Sequence, residues 1–89
     1  MAKLVFTQQL SRFTEVPEVD TPACQLRDAL DSAFTINPRL RDYVLDEQGH
    51  LRLHVVIFID GRRVLDRQRL DDTLLSDSRV YILQALSGG

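Results

Sequence analysis

The chain has one cysteine, one lysine and no long apolar run, and each scarcity removes a class of explanation. Cys24 has no second cysteine for an internal disulfide, and no Cys or His partner stands near it at metal-ligand spacing. A small core hydrophobe is its simplest role. The 11 basic residues are outweighed by 13 acidic ones, for a formal net charge of -2. Without a broad positive excess to attract a phosphate backbone, nucleic acid is not an expected partner. No stretch approaches the roughly 20 apolar residues of a membrane span, and the amino end lacks a basic-then-apolar signal pattern. These absences predict a cytoplasmic protein with no membrane partner. Also missing are a Ser-His-Asp set, carboxylates clustered in one motif and a Gly-rich phosphate loop. No residue set in the chain is legible as a catalytic site or as a cofactor site of its own.

Two basic features carry weak signals. His50 and His54 lie four positions apart in what reads as a strand region, about 13 Å along an extended chain. They cannot share an ion without a turn, so no metal site is expected; His50 reads as a loop residue and His54 as a sheet-face residue. Arg62, Arg63, Arg67 and Arg69 form a local basic cluster, but Asp66, Asp71 and Asp72 are interleaved with it. That predicts a solvated, internally compensated surface.

Eighty-nine residues make one small domain, able to bury somewhat more than about 60% of its unfolded surface. Leu4 to Thr7 is β-branched and aromatic and reads as an opening strand. Leu10 and Phe13 to Val16 suggest a second, irregular strand before Pro17, completing a loose hairpin. Thr21 followed by Pro22 predicts a helix start, with the threonine as N-cap and the proline at the first helical position. From there Leu26, Ala29, Leu30, Ala33 and Phe34 form a continuous apolar stripe, with Arg27, Asp28, Asp31 and Ser32 opposite. Asn37-Pro38 should end that helix, and a short turn should follow before Tyr43 to Leu45.

Asp46 to Gly49 reads as a tight turn, and Leu51 to Ile59 as the longest strand. Asp60-Gly61 is the pair that a two-residue type I′ hairpin requires, because both turn residues need positive φ. Register follows from that turn: Ile59 opposes Arg62, Phe58 opposes Arg63 and Ile57 opposes Val64 in a return strand running to Leu65. Val55, Ile57 and Val64 then share one face, and His54, Val56, Phe58 and Arg63 the other. A polar loop from Asp66 to Arg79, anchored by Leu70 and Leu74, leads into a final strand from Val80 to Leu86. The element order predicts an α+β fold: a mixed sheet of four to five strands with one main helix packed across one face, a β-grasp.

The sequence closes on Gln84-Ala85-Leu86-Ser87-Gly88-Gly89. A Gly-Gly pair arises there by chance in about half a per cent of chains. With no Cβ at Gly88 or Gly89, backbone and carboxylate could pass through a channel too narrow for other residues. The expected organisation is a domain over residues 1–86 followed by a flexible tail over 87–89.

Four stretches, Leu51 to Gly61, Leu70 to Leu74, Val80 to Leu83 and Ala85 to Gly89, give a chain that resembles the MoaD/ThiS family of sulfur carriers, ubiquitin-like β-grasp proteins. A Gly-Asp pair common in that family before the last strand is replaced here by Asp77-Ser78-Arg79. The resemblance implies that the Gly89 carboxylate is adenylated with ATP and then converted to a thiocarboxylate, Gly88 allowing the tail to thread. It also implies several partners: an ATP-dependent adenylating enzyme of the ThiF/MoeB kind, a sulfur donor, a sulfur-accepting synthase of which the chain could be the small subunit, and a trimming protease if residues beyond Gly89 are encoded. The receiving pathway stays open among molybdopterin, thiamine, cysteine, methionine and specialised metabolites. Conjugation to proteins through Gly89, or a plain interaction domain with an inert tail, are the alternatives. Lys3, the only lysine, leaves few acceptor sites for chain building. Finally, His54, Val56, Phe58, Tyr81 and Leu83 make an unusually apolar outer sheet face, beside which Arg63 could cover the Phe58 ring. Val56, Phe58, Arg63, Tyr81 and Leu83 are the expected partner-docking residues.

Overall fold

A computed structural model of the chain describes residues 1–7, 10 and 16–84. Its elements are strand β1 (Ala2–Phe6), strand β2 (Glu18–Thr21), helix α1 (Leu26–Ile36), short helix α2 (Leu40–Val44), and strands β3 (Val55–Ile59), β4 (Arg62–Arg63) and β5 (Arg79–Gln84). The five strands form one mixed sheet in the order β2-β1-β5-β3-β4. β1 and β5 are parallel, and every other pairing is antiparallel. This is the β-grasp expected from the element order.

The core forms where the two periodicities meet. Leu26, Ala29, Leu30, Ala33 and Phe34 are all buried on α1, against the inward positions Leu4 and Phe6 of β1, Val55 and Ile57 of β3, and Val80 and Ile82 of β5. Asn37 ends α1 and uses its amide on the incoming chain, accepting the Val16 N–H at 3.3 Å and donating to the Val16 carbonyl at 2.9 Å. The hairpin register is as predicted, with Phe58 opposite Arg63 and Ile59 opposite Arg62. Asp60 and Gly61 both take positive φ, 50° and 84°, as a type I′ turn demands. Leu70 and Leu74 are buried and anchor the loop before β5.

Several boundaries differ from expectation. The second strand lies after Pro17, not before it; Val16 is exposed and outside any strand, and Phe13 to Glu15 fall outside the described residues. Val19 and Thr21 are the residues that alternate inward, opposite Leu4 and Ala2. Thr21 is thus the last residue of β2 and not a helix cap; its hydroxyl accepts the Ala23 N–H at 3.2 Å in a local turn.

α1 begins at Leu26 behind Gln25, which makes no side-chain cap bond. The helix start is satisfied from a distance: the Leu26 N–H donates to the Asp72 carbonyl at 2.9 Å, and the Leu74 N–H donates to the Cys24 carbonyl at 2.7 Å. Cys24 is therefore exposed in a connecting segment and is not a core residue. The long strand predicted from Leu51 is shortened to Val55–Ile59, because residues 52–54 turn, with the Val55 N–H donating to the Arg52 carbonyl. The return strand stops at Arg63; Val64 keeps one bond to the Ile57 carbonyl, and Leu65 is exposed.

Leu30→Ala removes three carbons from the centre of this interface, where the side chain is 1% exposed. It should cost about 2 to 5 kcal/mol, measured as a lowered denaturation midpoint with unchanged slope.

Candidate functional site

β5 occupies the middle of the sheet, hydrogen-bonded to β1 on one side and β3 on the other. Its inward residues Val80 and Ile82 are fully buried, while Tyr81 and Leu83 point to the opposite face and are half-buried. Register places Tyr81 beside both Val5 and Phe58, and Leu83 beside Val56. Phe58 in turn faces Arg63. The five residues expected to dock a partner, Val56, Phe58, Arg63, Tyr81 and Leu83, are therefore brought to one face; Val56, however, is buried at 8% exposure, so the accessible part of the face is Phe58, Tyr81 and Leu83 with Arg63 at its edge.

Val5, half-buried on the same face, completes the patch and was missed. The alternation in Leu4-Val5-Phe6 was the available signal. At the far edge Lys3 pairs with Glu18 at 3.4 Å, so the apolar centre is bordered by an ion pair on one side and Arg63 on the other. His54 does not belong to this face. It lies in the turn before β3 and is exposed. That same turn removes the extended spacing expected between His50 and His54. Among the described residues no three His, Cys, Asp or Glu side chains gather to hold a metal ion.

The start of β5 is fixed by Asp60 of the hairpin turn. Its two carboxylate oxygens accept the Arg79 N–H and the Ser78 hydroxyl, both at 2.9 Å, while its own N–H donates to the Arg79 carbonyl at 3.0 Å. Ser78, 1% exposed, also accepts the Leu75 N–H at 2.8 Å. The Asp77-Ser78-Arg79 departure thus supplies the hydroxyl that ties this loop to the hairpin.

The bonds from the Arg79 amide and the Ser78 hydroxyl hold the Asp60 carboxyl below its ordinary value, with Arg62 adding a smaller pull. Asp46 and Asp66 are lowered by the same means, chiefly through the backbone N–H groups of His50 and Arg69 respectively.

Two arginines are structural: Arg27 from the polar side of α1, and Arg67 from the cluster expected to be solvated. From α1, Arg27 donates to the carbonyls of Arg69 (3.0 Å), Gly49 (3.1 Å) and Gln68 (2.7 Å). Arg67, half-buried, donates to the carbonyls of Arg52 and Val55. Burial is the main cause that lowers its pKa, with the charge of Arg63 second. The expected tail residues Gly88 and Gly89 lie outside the described residues, as do Ala85 and Leu86 at the predicted end of the last strand.

Asp60→Asn should flatten the acid limb of stability. The parent carboxyl titrates below 3.8 when folded. The unfolded chain therefore binds the proton first, and the stabilisation is complete above that value and lost as pH falls through the lowered one. Thermal midpoints measured from neutral pH to about pH 3 should fall less steeply in the variant and start lower at neutrality.

The sequence matches no protein-family model and no curated protein. Its structure, in contrast, superposes along nearly its full length on small solved proteins. The match to small archaeal modifier protein 1 from Methanosarcina acetivorans has a TM-score of 0.80 at 23% identity, covering 99% of this chain and 95% of that one. A chain of the Amycolatopsis orientalis BexX/CysO complex matches with a TM-score of 0.84 at 14% identity, covering 100% of both. Urm1 from Sulfolobus solfataricus matches with a TM-score of 0.69 at 19% identity, covering 92% of this chain and 97% of that one. The five-stranded sheet in the order β2-β1-β5-β3-β4, with α1 across it, is accordingly the ubiquitin-like β-grasp fold.

Proposed function

We propose that the chain is a sulfur carrier that works through the carboxylate of Gly89, when Gly89 is the terminal residue either as encoded or after trimming. One observation carries this reading: a β-grasp whose doubly hydrogen-bonded central strand ends at Gln84, with Gly88-Gly89 in the five residues that follow. A carboxylate is a poor electrophile until one oxygen becomes a leaving group. In the proposed reaction it attacks the α-phosphorus of ATP on an adenylating enzyme, and pyrophosphate leaves. A sulfur donor then displaces AMP and leaves the thiocarboxylate, which a synthase consumes. None of these steps asks for a catalytic side chain on the carrier. The likeness to a chain of the BexX/CysO complex supports a role exercised in complex with a partner.

The outer patch of Val5, Val56, Phe58, Tyr81 and Leu83 is the proposed docking surface for the adenylating enzyme. It is centred on β5, the strand that precedes the tail, with Val5 from β1 and Val56 and Phe58 from β3 beside it, so binding there would position the tail while burying apolar area. Conjugation through Gly89 is the second reading, favoured by the likeness to small archaeal modifier protein 1. Lys3 is the single lysine, which leaves few acceptor sites for modification of the chain by its own copies.

Intact mass separates these readings. Incubation with ATP, a sulfur source and an adenylating enzyme from the same genome should add about 16 Da, oxygen replaced by sulfur in a covalent modification. Deleting Gly89 should abolish the gain. Lysine-linked adducts would favour the modifier reading instead, and a full chain that never gains mass would leave an interaction domain. Phe58→Ala should weaken binding to the adenylating enzyme by about 2 kcal/mol or more if the ring is an anchor, read by calorimetry, with folding checked by circular dichroism. Unchanged affinity would place docking on another face.

A further inference from the structure

The described chain has a second surface at the tail-bearing end, separate from the apolar patch. Because β3 runs antiparallel to β5, with Val55 opposite Gln84, the residues just before Val55 sit at the end of the sheet where β5 hands over to residue 85. Those residues do not continue the strand. They turn, and with the 46–50 loop and Arg67 they line an open cleft of about 530 Å³ that includes Asp46, His50, Arg52, Leu53, His54 and Arg67.

Three properties of this cleft stand out in a chain of net charge -2. Its two guanidiniums are bonded to neutral main-chain oxygens: Arg52 donates to the Asp42 carbonyl at 2.6 Å, and Arg67 to the carbonyls of Arg52 and Val55. Their charge is not cancelled by those bonds. Asp46 is the one carboxylate in the lining; its Oδ1 accepts the N–H groups of Gln48 and His50 at 2.9 and 3.0 Å, and its charge offsets part of that of Arg52, so the two guanidiniums leave a positive excess in the cleft. At the rim Leu53 is 93% exposed, next to the exposed His54. Leu53 is held outside the core by a hydrogen-bonded turn, between an arginine and a histidine, and so presents an apolar knob among polar donors.

We infer that the 50–54 turn and Arg67 form a second docking surface, for a carboxylate-rich protein segment with an apolar slot that receives Leu53. Electrostatic complementarity of this kind orients an encounter and speeds it more than it tightens it. A small phosphate anion fits less well, because the cleft is wide and open and carries the exposed Leu53 at its rim. The inference deepens the carrier reading and rests on it for the identity of the partner: the acidic segment would border the channel through which the adenylating enzyme receives the tail. The central sheet patch would hold the domain, and this turn would set its rotation beside the channel.

The cleft can be tested on the full chain without that enzyme. Two-dimensional 1H–15N spectra are recorded during titration with a glutamate-rich peptide carrying a central leucine, with its lysine-rich counterpart, and with inorganic phosphate. The acidic peptide should move the amides of residues 50–54 and of Arg67 and Gln68, and the shifts should shrink as ionic strength rises past roughly 0.15 M. His54→Glu and Leu53→Ser, both at exposed positions outside the core, should each weaken the response several-fold, and together by at least tenfold. No shift, equal shifts with the lysine-rich peptide, or phosphate alone moving these amides would overturn the inference.

A second readout uses the adenylating enzyme. The initial rate of mass gain at Gly89 should fall at least fivefold in the double variant, and raised salt should slow the parent more than the variant. A double variant converted at the parent rate would overturn the docking role and leave the carrier reading intact. A parent never converted would overturn the carrier reading, with the peptide titration still deciding whether the cleft takes acidic segments.

Discussion

The burial of β5 is the constraint on which the rest of the structure depends. The strand is hydrogen-bonded on both edges, and its inward residues Val80 and Ile82 are fully closed off by the sheet neighbours and the α1 stripe. A strand paired on both sides cannot shift sideways, and a one-residue slip would turn Tyr81 and Leu83 into the core and Val80 and Ile82 out of it. Gln84, the last described residue of the strand, is therefore fixed relative to the outer patch and to the 50–54 turn. For a domain whose chemistry is proposed to lie on a backbone carboxylate, fixing the strand that precedes it is the main service the fold provides.

Charged side chains carry much of the remaining organisation, in a way that depends on the irregular segments. Residues 45–54 and 64–78 contain little regular pairing, and their backbone groups need partners. Arg27 supplies three donors to carbonyls of the 49 and 68–69 segments, Arg67 supplies two to residues 52 and 55, and Asp46, Asp60 and Asp66 accept N–H groups at three turns. A guanidinium with several donors in a fixed fork suits this work, and a lysine could not replace it with the same geometry. The polar loops thus owe their shape to side-chain-to-backbone bonds more than to ion pairs.

A framework shared at 14% to 23% identity with full-length coverage is one specified by pattern. What recurs is where apolar residues point and where the chain turns.

Legibility followed the range of the interactions involved. The helical stripe from Leu26 to Phe34, the Asp60-Gly61 hairpin with its register, and the burial of Leu70 and Leu74 were all determined by the sequence itself, because periodicity and positive-φ turn chemistry act within a few residues. That register also assigned Val56, Phe58 and Arg63 to one face, together with His54, which the turn before β3 removes from it, and alternation in the last strand set Tyr81 and Leu83 apart from Val80 and Ile82. The tertiary structure decided what depends on partners distant in the chain. Thr21 had the chemistry of a cap, yet its position opposite Ala2 drew it into β2, and the start of α1 is completed by the Asp72 carbonyl some 46 residues on. Leu51 to His54 had the composition of a strand, but Arg67 and Val44 engage that backbone and turn it. A local pattern states what a segment can form; which of its backbone groups are claimed by another part of the chain is known only once the chain has folded.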